Sequence, residues 1–343
     1  MKKVARNFTL LFVFVLAATL AGGAPKAANA AAKPKILQLS LIQPEGSSLH
    51  EGAKYWGELI SKYTDGRYQV KVFGNSMLAN GDMVTELEMV QSGTIHLGFS
   101  PVSILSNIAP DLGALLIPWL WKNEAVIDAN LYDTSTPIYT TIEKKLHGKR
   151  LKMFTCVELG YRQLTNSVRE VSKPEDLKGI KIRTTNNSMI QKVFSSLGAN
   201  PTGLNFTELY TSLQNGALDG QENPLPSIII PNKFYEVQKY FTDWKYIYES
   251  NIAICGMDFW DSLSPDDQAA FQKAATEAML WQRDLNRSQY QNALDEIRAK
   301  GMAVTILDAA QIDVFKKAVA SVVESYYARF DREFLKALLE VNQ

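Results

Sequence analysis

Apolar and polar positions follow two spacings along this chain, and each switch between them marks an element. Residues 36–41 open with a strand; Ala53, Trp56, Leu59, Ile60 and Tyr63 then fall at helical spacing, and residues 68–73 form a second strand. Gly46-Ser47-Ser48 leads into that helix and Thr64-Asp65-Gly66 ends it. A second helix over about 82–92 stops at Gly93 before a strand over 95–99. The resulting β-α-β-α-β order predicts a largely parallel sheet with helices on both faces.

The stretch 158–224 repeats this grammar with denser signals. Ser172-Lys173-Pro174-Glu175 has the form of a capping box, and its short turn stops at Gly179. Over residues 180–184, Ile180 and Ile182 share one face of a strand and Lys181 and Arg183 the other, so Arg183 leaves the core at the strand's carboxyl end. Asn186 or Asn187 can cap the next helix, whose Ile190, Val193, Phe194 and Leu197 make one stripe before Gly198. Asn205 caps a further helix with Glu208 at its third position; Leu209 and Leu213 mark its buried side and Asn215-Gly216 its end. Asn223 precedes Pro224, which biases it to extended backbone and projects its amide from a strand end or loop. Strand ends that lead into helix N-termini suit anions, and open α/β sheets bind ligands there. Segments 90–96 and 213–219 share a helix end, a Gln, a Gly stop and a following strand, a weak echo that fits two lobes built alike.

Beyond this region, residues 251–257 suggest a strand, and Ser264 caps a helix that starts at Pro265 and meets neither Gly nor Pro before Lys300. Such a helix would be about 54 Å long and would brace both lobes. A strand over 302–307 and a helix over about 309–339 follow, the helix turning Phe315, Val319, Val322, Val323, Tyr326 and Phe330 to the core.

The amino terminus changes the picture of where the protein works. Lys2, Lys3 and Arg6, an apolar run from Phe8 to Ala21 and small residues ending Ala28-Asn29-Ala30 have the layout of a secretory signal peptide cleaved near Ala30. The run is shorter than the roughly 20 residues of a spanning helix. Residues 1–30 contain four of the 36 basic residues and no acidic one, leaving 32 basic against 36 acidic, a net of −4 that argues against a nucleic-acid partner. The remaining length exceeds what one core usually serves, so two domains are expected. Cys156 and Cys255 would lie in an oxidising compartment, where they either pair or stay as buried thiols.

Signals for catalysis are missing. His50, His96 and His147 are scattered, and no HExxH, paired CxxC, GxSxG or phosphate-cradling glycine loop occurs, so neither a metal nor a cofactor is expected. Asp219 and Glu222 are expected to be turn-forming or structural carboxylates.

Several spaced motifs carry a resemblance. Gly160-Tyr161-Arg162-Gln163-Leu164-Thr165-Asn166, Pro174 through Arg183, Leu197-Gly198-Ala199-Asn200-Pro201, Glu208-Leu209-Tyr210 through Gly216, and Asp219-Gly220-Gln221-Glu222-Asn223-Pro224 resemble the solute-binding subunits of tripartite ATP-independent periplasmic (TRAP) transporters, the DctP-like family. The likeness runs from about residue 36 to the carboxyl terminus and includes Leu115-Leu116-Ile117-Pro118-Trp119-Leu120.

That resemblance implies an α/β, two-lobed periplasmic binding protein fold. Each lobe would be a mostly parallel sheet flanked by helices, with residues 31–159 and 249–288 in lobe I and 160–248 and 289–343 in lobe II. It also implies a receptor that closes on a small carboxylate and delivers it to membrane-embedded permease subunits. Carried over residue by residue, the family's carboxylate-pairing arginine falls on Arg183, further ligand contacts on Arg162 and Asn223, and a pocket-lining phenylalanine on Phe206. Gln43, Ser48 and His50, in and after the first loop, are further ligand-binding candidates. His96 stands where the family usually has an aspartate.

The physics of Arg183 stands apart from the resemblance. A guanidinium presents a planar fork that matches the two oxygens of a carboxylate, which a lysine cannot reproduce. Two other classes fit the same residues: an exported enzyme that anchors an organic acid on Arg183, and a co-receptor for a membrane sensor.

Overall fold

Nine strands among the described residues form one sheet, and its middle explains the whole arrangement. The structure is a computed structural model that describes residues 33–343, so the signal-peptide reading of 1–30 lies outside the described residues. The strands are β1 (Lys35–Ser40), β2 (Tyr68–Phe73), β3 (Leu97–Pro101), β4 (Leu151–Asn166), β5 (Lys181–Thr184), β6 (Asn200–Gly203), β7 (Gly220–Pro224), β8 (Tyr240–Gly256) and β9 (Ala303–Ile306). Their order is β2-β1-β3-β8-β4-β7-β5-β6, with β9 beside β8. At one flank β1 runs parallel to β2 and β3; at the other β5 runs parallel to β6 and β7. Between the flanks, β8 and β4 are antiparallel to each other and to their neighbours β3 and β7.

The two central strands, 16 and 17 residues long, pass through both halves, which makes two lobes of one continuous sheet. The apolar residues accordingly divide by sheet face instead of by lobe. Leu37, Trp56, Phe99, Phe154, Leu213, Phe271 and Ile297 belong to one core; Leu112, Ile142, Met153, Ile182, Phe194, Trp244 and Phe315 belong to the other. Cys156 and Cys255 fall in opposite cores, Cys156 opposite Ile252 and Cys255 opposite Lys152 in the β4–β8 ladder, and both are free thiols. Alternation along the strands, with period two, holds them on different faces.

Several local expectations need correction. The turn Pro174–Leu177 is held by Asp176, not Glu175: its carboxylate accepts from the Ser172 and Lys173 amides at 2.9 and 3.1 Å. Asn187 caps the helix Ser188–Ser196, whereas Asn205 precedes the turn Phe206–Glu208 without a side-chain capping bond. β3 begins at Leu97 because the Ile95 amide still bonds back to the Met89 carbonyl of the preceding helix. The echo between the halves is visible in the backbone, since Gly93 and Gly216 both end helices at φ +77° and +74°.

The long helix is not continuous over 265–300. It runs Pro265–Ser288, breaks at Gln289 and resumes as Tyr290–Ala299. The Ser288 hydroxyl donates to the Leu285 carbonyl at 2.7 Å, the acceptor that the Gln289 amide would have in an unbroken α-helix. That amide turns instead to the Asn286 carbonyl. The expected helix over 309–339 is likewise two, Ala309–Tyr327 and Arg332–Val341, because Asp331 starts a new one by accepting from the Phe334 amide at 3.0 Å. No helix among the described residues is long and apolar enough to cross a membrane.

Candidate functional site

Where the two flanks face each other, the carboxyl ends of the parallel strands converge on one cavity. Ile42 and Gln43 follow β1, Ser103 follows β3, Thr185 follows β5, and Asn223 lies in β7; Arg162 and Glu249 come from β4 and β8. Arg183, Leu159, Phe206, Ile228, Met83 and Pro101 complete the wall. This is where ligand crevices form in open α/β sheets. The walls meet closely, leaving about 20 Å³ open to the centre of a water-sized sphere, about one water's worth. A molecule larger than water therefore enters only when the walls part. A larger opening of about 620 Å³ lies between Pro137–His147 and Arg332–Val341, but its Lys145 is already paired with Asp111 and Asp331.

Arg183 is 1% exposed. Its Nε and Nη2 donate to the Leu204 carbonyl at 2.9 and 2.7 Å, and its guanidinium carbon lies 5.7 Å from the Phe206 ring centre. Nη1 is buried without a hydrogen-bond partner. Of five guanidinium N–H groups, two are committed to Leu204, which leaves two on Nη1 and one on Nη2, the end of the fork. Burial pulls the Arg183 pKa down to about 10, with Arg162 adding to the effect and Glu222 and Glu249 opposing it. The group is still a cation at neutral pH.

Arg162 is buried to the same degree but is differently placed. It donates to the carboxylates of Glu222 and Glu249, to the Glu222 carbonyl, and to Asn223 Oδ1 at 3.1 Å. Burial works against its charge, yet the two glutamates outweigh burial and raise its pKa. Glu222 also accepts from the Tyr246 hydroxyl at 2.5 Å, and Glu249 from the Ser103 amide at 3.0 Å. Asn223 is fixed through a buried chain: its Nδ2 donates to Gln221, which donates to Thr165 at 2.8 Å, which donates to Gln238 at 2.9 Å. Gln43 Oε1, Ser103 Oγ and Thr185 Oγ1 are buried in the wall with no hydrogen-bond partner.

The structure thus brings Arg183, Arg162, Asn223, Phe206 and Gln43 to one cavity. Ser48 and His50 do not line it. Ser48 Oγ donates to Asn286 Oδ1 at 2.9 Å and so ties its helix to Pro265–Ser288; His50 Nδ1 lies 3.6 Å from Glu51. His96 sits elsewhere, its Nδ1 accepting from the Gln38 amide. Sequence reasoning missed Glu249, Ser103 and Thr185. A lone acid inside the otherwise uncharged stretch 246–255 is the available sign of Glu249, and Thr185 simply follows the strand end already singled out.

A family model described as bacterial extracellular solute-binding protein, family 7, matches residues 39–329. The 2,3-diketo-L-gulonate-binding periplasmic protein YiaO of Escherichia coli (strain K12) is 31% identical over 299 residues, 86% of this chain and 88% of its own. The sugar acid binding protein of Advenella mimigardefordensis, solved in complex with galactonate, has a TM-score of 0.85 at 31% identity over 90% of this chain and 98% of its own. A TRAP periplasmic solute binding protein of a Polaromonas species, bound to D-erythronate, has a TM-score of 0.84 at 30% identity over 90% and 99% of the two chains.

Proposed function

The chain belongs to the bacterial extracellular solute-binding proteins of family 7, and from that premise we propose that it is a periplasmic TRAP receptor that takes a small organic acid by its carboxylate on Arg183 and hands it to membrane permease subunits. The observation that carries this reading is the Arg183 guanidinium: held from behind by the Leu204 carbonyl, beside Phe206, with Nη1 buried and unpartnered in the cavity wall. An unpaired buried donor on a charged group is costly, and a carboxylate satisfies it with charge-assisted bonds of about 1.5–3 kcal/mol each. Because the geometry is set in advance, binding loses little to ordering the arginine. Arg162, with its two glutamates, serves the site by holding Asn223 and the cavity floor.

Closure supplies the rest. Groups from both flanks of the sheet line the cavity, so a bound acid bridges them and favours the closed form over the open one. The enzyme alternative lacks support in the wall, which contains neither histidine nor cysteine and in which neither the Ser103 nor the Thr185 hydroxyl is hydrogen-bonded to a base. The relatives named above for their acids fit the receptor reading.

The test is a thermal-shift and calorimetric screen of organic acids on protein unfolded and refolded to strip carried ligand. The wild type is stabilised by at least one acid, Arg183→Ala loses the shift, and Arg183→Lys loses most of it. Undiminished binding by the lysine variant would remove the fork from the mechanism.

A further inference from the structure

We infer that the cleft selects hydroxylated monocarboxylates and rejects dicarboxylates, and that Glu249 sets this preference. The inference rests on the carboxylate-receptor reading above and adds the charge and hydrogen-bonding character of the rest of the ligand.

Arg162, Arg183, Glu222 and Glu249 are each at most 1% exposed, and their formal charges cancel. Glu222 and Glu249 both contact Arg162, not Arg183. Among the described residues of the wall, Arg183 is therefore the one cation without a carboxylate in contact. It accommodates one ligand carboxylate. A second would enter a closed cavity with no cation left for it and with the Glu249 carboxylate in the wall. Like charges in such a site are strongly unfavourable, and an unpaired buried charge is more so.

The remaining polar atoms ask for something else. Gln43 Oε1 is an acceptor only, so it needs a donor; Ser103 Oγ and Thr185 Oγ1 can donate or accept, and all three are buried without partners. Ligand hydroxyls meet these demands and carry no charge, whereas a carboxylate cannot donate to Gln43 and a methylene satisfies none of them. Sites built to bond a hydroxyl reject analogues that lack it, because their own groups are then left unpaired. Glu249 is held where it acts by two bonds, from Arg162 Nη1 and from the Ser103 amide at 3.0 Å. It thus keeps Arg162 from serving as a second carboxylate site.

Matched pairs of acids test this: aldonates of four to six carbons against the aldarates of the same chain, which differ only in a terminal hydroxymethyl or carboxylate. Unsubstituted mono- and dicarboxylates are included, with affinities taken by calorimetry on stripped protein. The expected result is that the strongest binder is an aldonate, preferred at least 100-fold over its aldarate. In Glu249→Gln the buried count becomes +1 and Arg162 is left with the Glu222 carboxylate alone, so the preference narrows at least tenfold through tighter aldarate binding. A dicarboxylate or an unhydroxylated acid as the strongest wild-type binder would overturn the inference while leaving the receptor reading intact. An unchanged preference in a folded Glu249→Gln protein would overturn the role of Glu249. Binding of no acid at all would overturn both readings. Should Glu249→Gln fail to fold, Glu249→Asp takes its place, because the shorter side chain withdraws the carboxylate from the cavity, and an unchanged preference there would overturn the role of Glu249.

Discussion

Replacing Glu86 by glutamine should make the protein more stable at neutral pH and leave it unchanged in acid. Glu86 is 5% exposed, in the helix Met83–Gln91, and its carboxylate accepts from the hydroxyls of Ser40 and Ser76. No ion pair to it occurs among the described residues, so burial dominates and pushes its pKa from 4.5 up to about 7. The folded protein therefore keeps a proton that the unfolded chain releases between pH 4.5 and about 7. The stability contributed by this neutral carboxyl is full below pH 4.5 and is lost as the pH rises through 7. A shift of that size corresponds to about 3 kcal/mol at 1.36 kcal/mol per pH unit. Glutamine keeps the contacts with both serines and never ionises. At about 2 °C per kcal/mol for a chain of this length, the melting temperature of Glu86→Gln should exceed the wild type's by about 6 °C at pH 7.5 and match it near pH 4.5. Differential scanning calorimetry at half-unit steps of pH measures the gap directly, since all other titrating groups cancel between the two proteins. Parallel curves across that range would refute the reasoning, because they would mean that Glu86 is charged or solvated in the folded state.

Two further outcomes test the interior. Glu222→Gln should cost about 3 kcal/mol or more in urea unfolding, because it leaves a buried guanidinium with a single carboxylate; a cost below about 1 kcal/mol would show that Arg162 does not depend on the pair. Cys156 and Cys255 should resist thiol reagents in the folded protein, the Cys156 thiol being pushed up to about 12 by burial. Both should titrate once the unreduced protein is unfolded in denaturant, and the absence of free thiols there would mean that they pair.

What was legible in the sequence was local. Alternation placed Arg183 on the face opposite Ile182, and Gly and Asn stops marked helix ends such as Gly198 and Gly216, because these depend on neighbours a few residues apart. What was not legible depends on contacts across long separations. The partner of Arg162 could not be foreseen, since Glu222 lies 60 residues away and Glu249 lies 87 away. The strand containing Glu249 is recognisable in the sequence only from residue 251, because residues 240–250 mix aromatic and charged side chains that show no period until both faces are covered. The break at Gln289 has neither Gly nor Pro to announce it, only a serine whose hydroxyl finds a carbonyl one turn back. Ser48 and His50 are candidates by their place after the first loop, yet they begin a helix in which Ser48 bonds Asn286 and His50 lies beside Glu51 of the same turn.

A sheet shared by two lobes raises the question of where it can bend, and three irregularities lie together at one level. Apart from a shift between Met153 and Thr155, the β4–β8 ladder shifts register between Glu158 and Gly160 and again between Arg162 and Leu164. Gly160 takes φ +107°, which a residue with a Cβ avoids, and Lys245 opposite the second shift takes φ +46°. Bulges of this kind interrupt pairing and re-aim side chains. Gln163 spans the gap in β8 by accepting from the Trp244 and Lys245 amides at 2.9 and 3.0 Å, so the ladder there is held by a side chain. The third irregularity is the helix break. Before it, Gln282, Asn286 and Arg287 hold Glu158; after it, the Tyr290 hydroxyl accepts from Gln163 and donates to Asp243 at 2.6 Å. The helix is thus tied to each strand irregularity on its own side of Ser288. A straight helix of 36 residues across an unbulged ladder would resist flexing, whereas these elements weaken at the same place. Arg162 and Glu249 lie between the shifts at Glu158/Gly160 and Arg162/Leu164, so the ion pair that keeps Arg162 occupied sits at the level where the ladder is most interrupted.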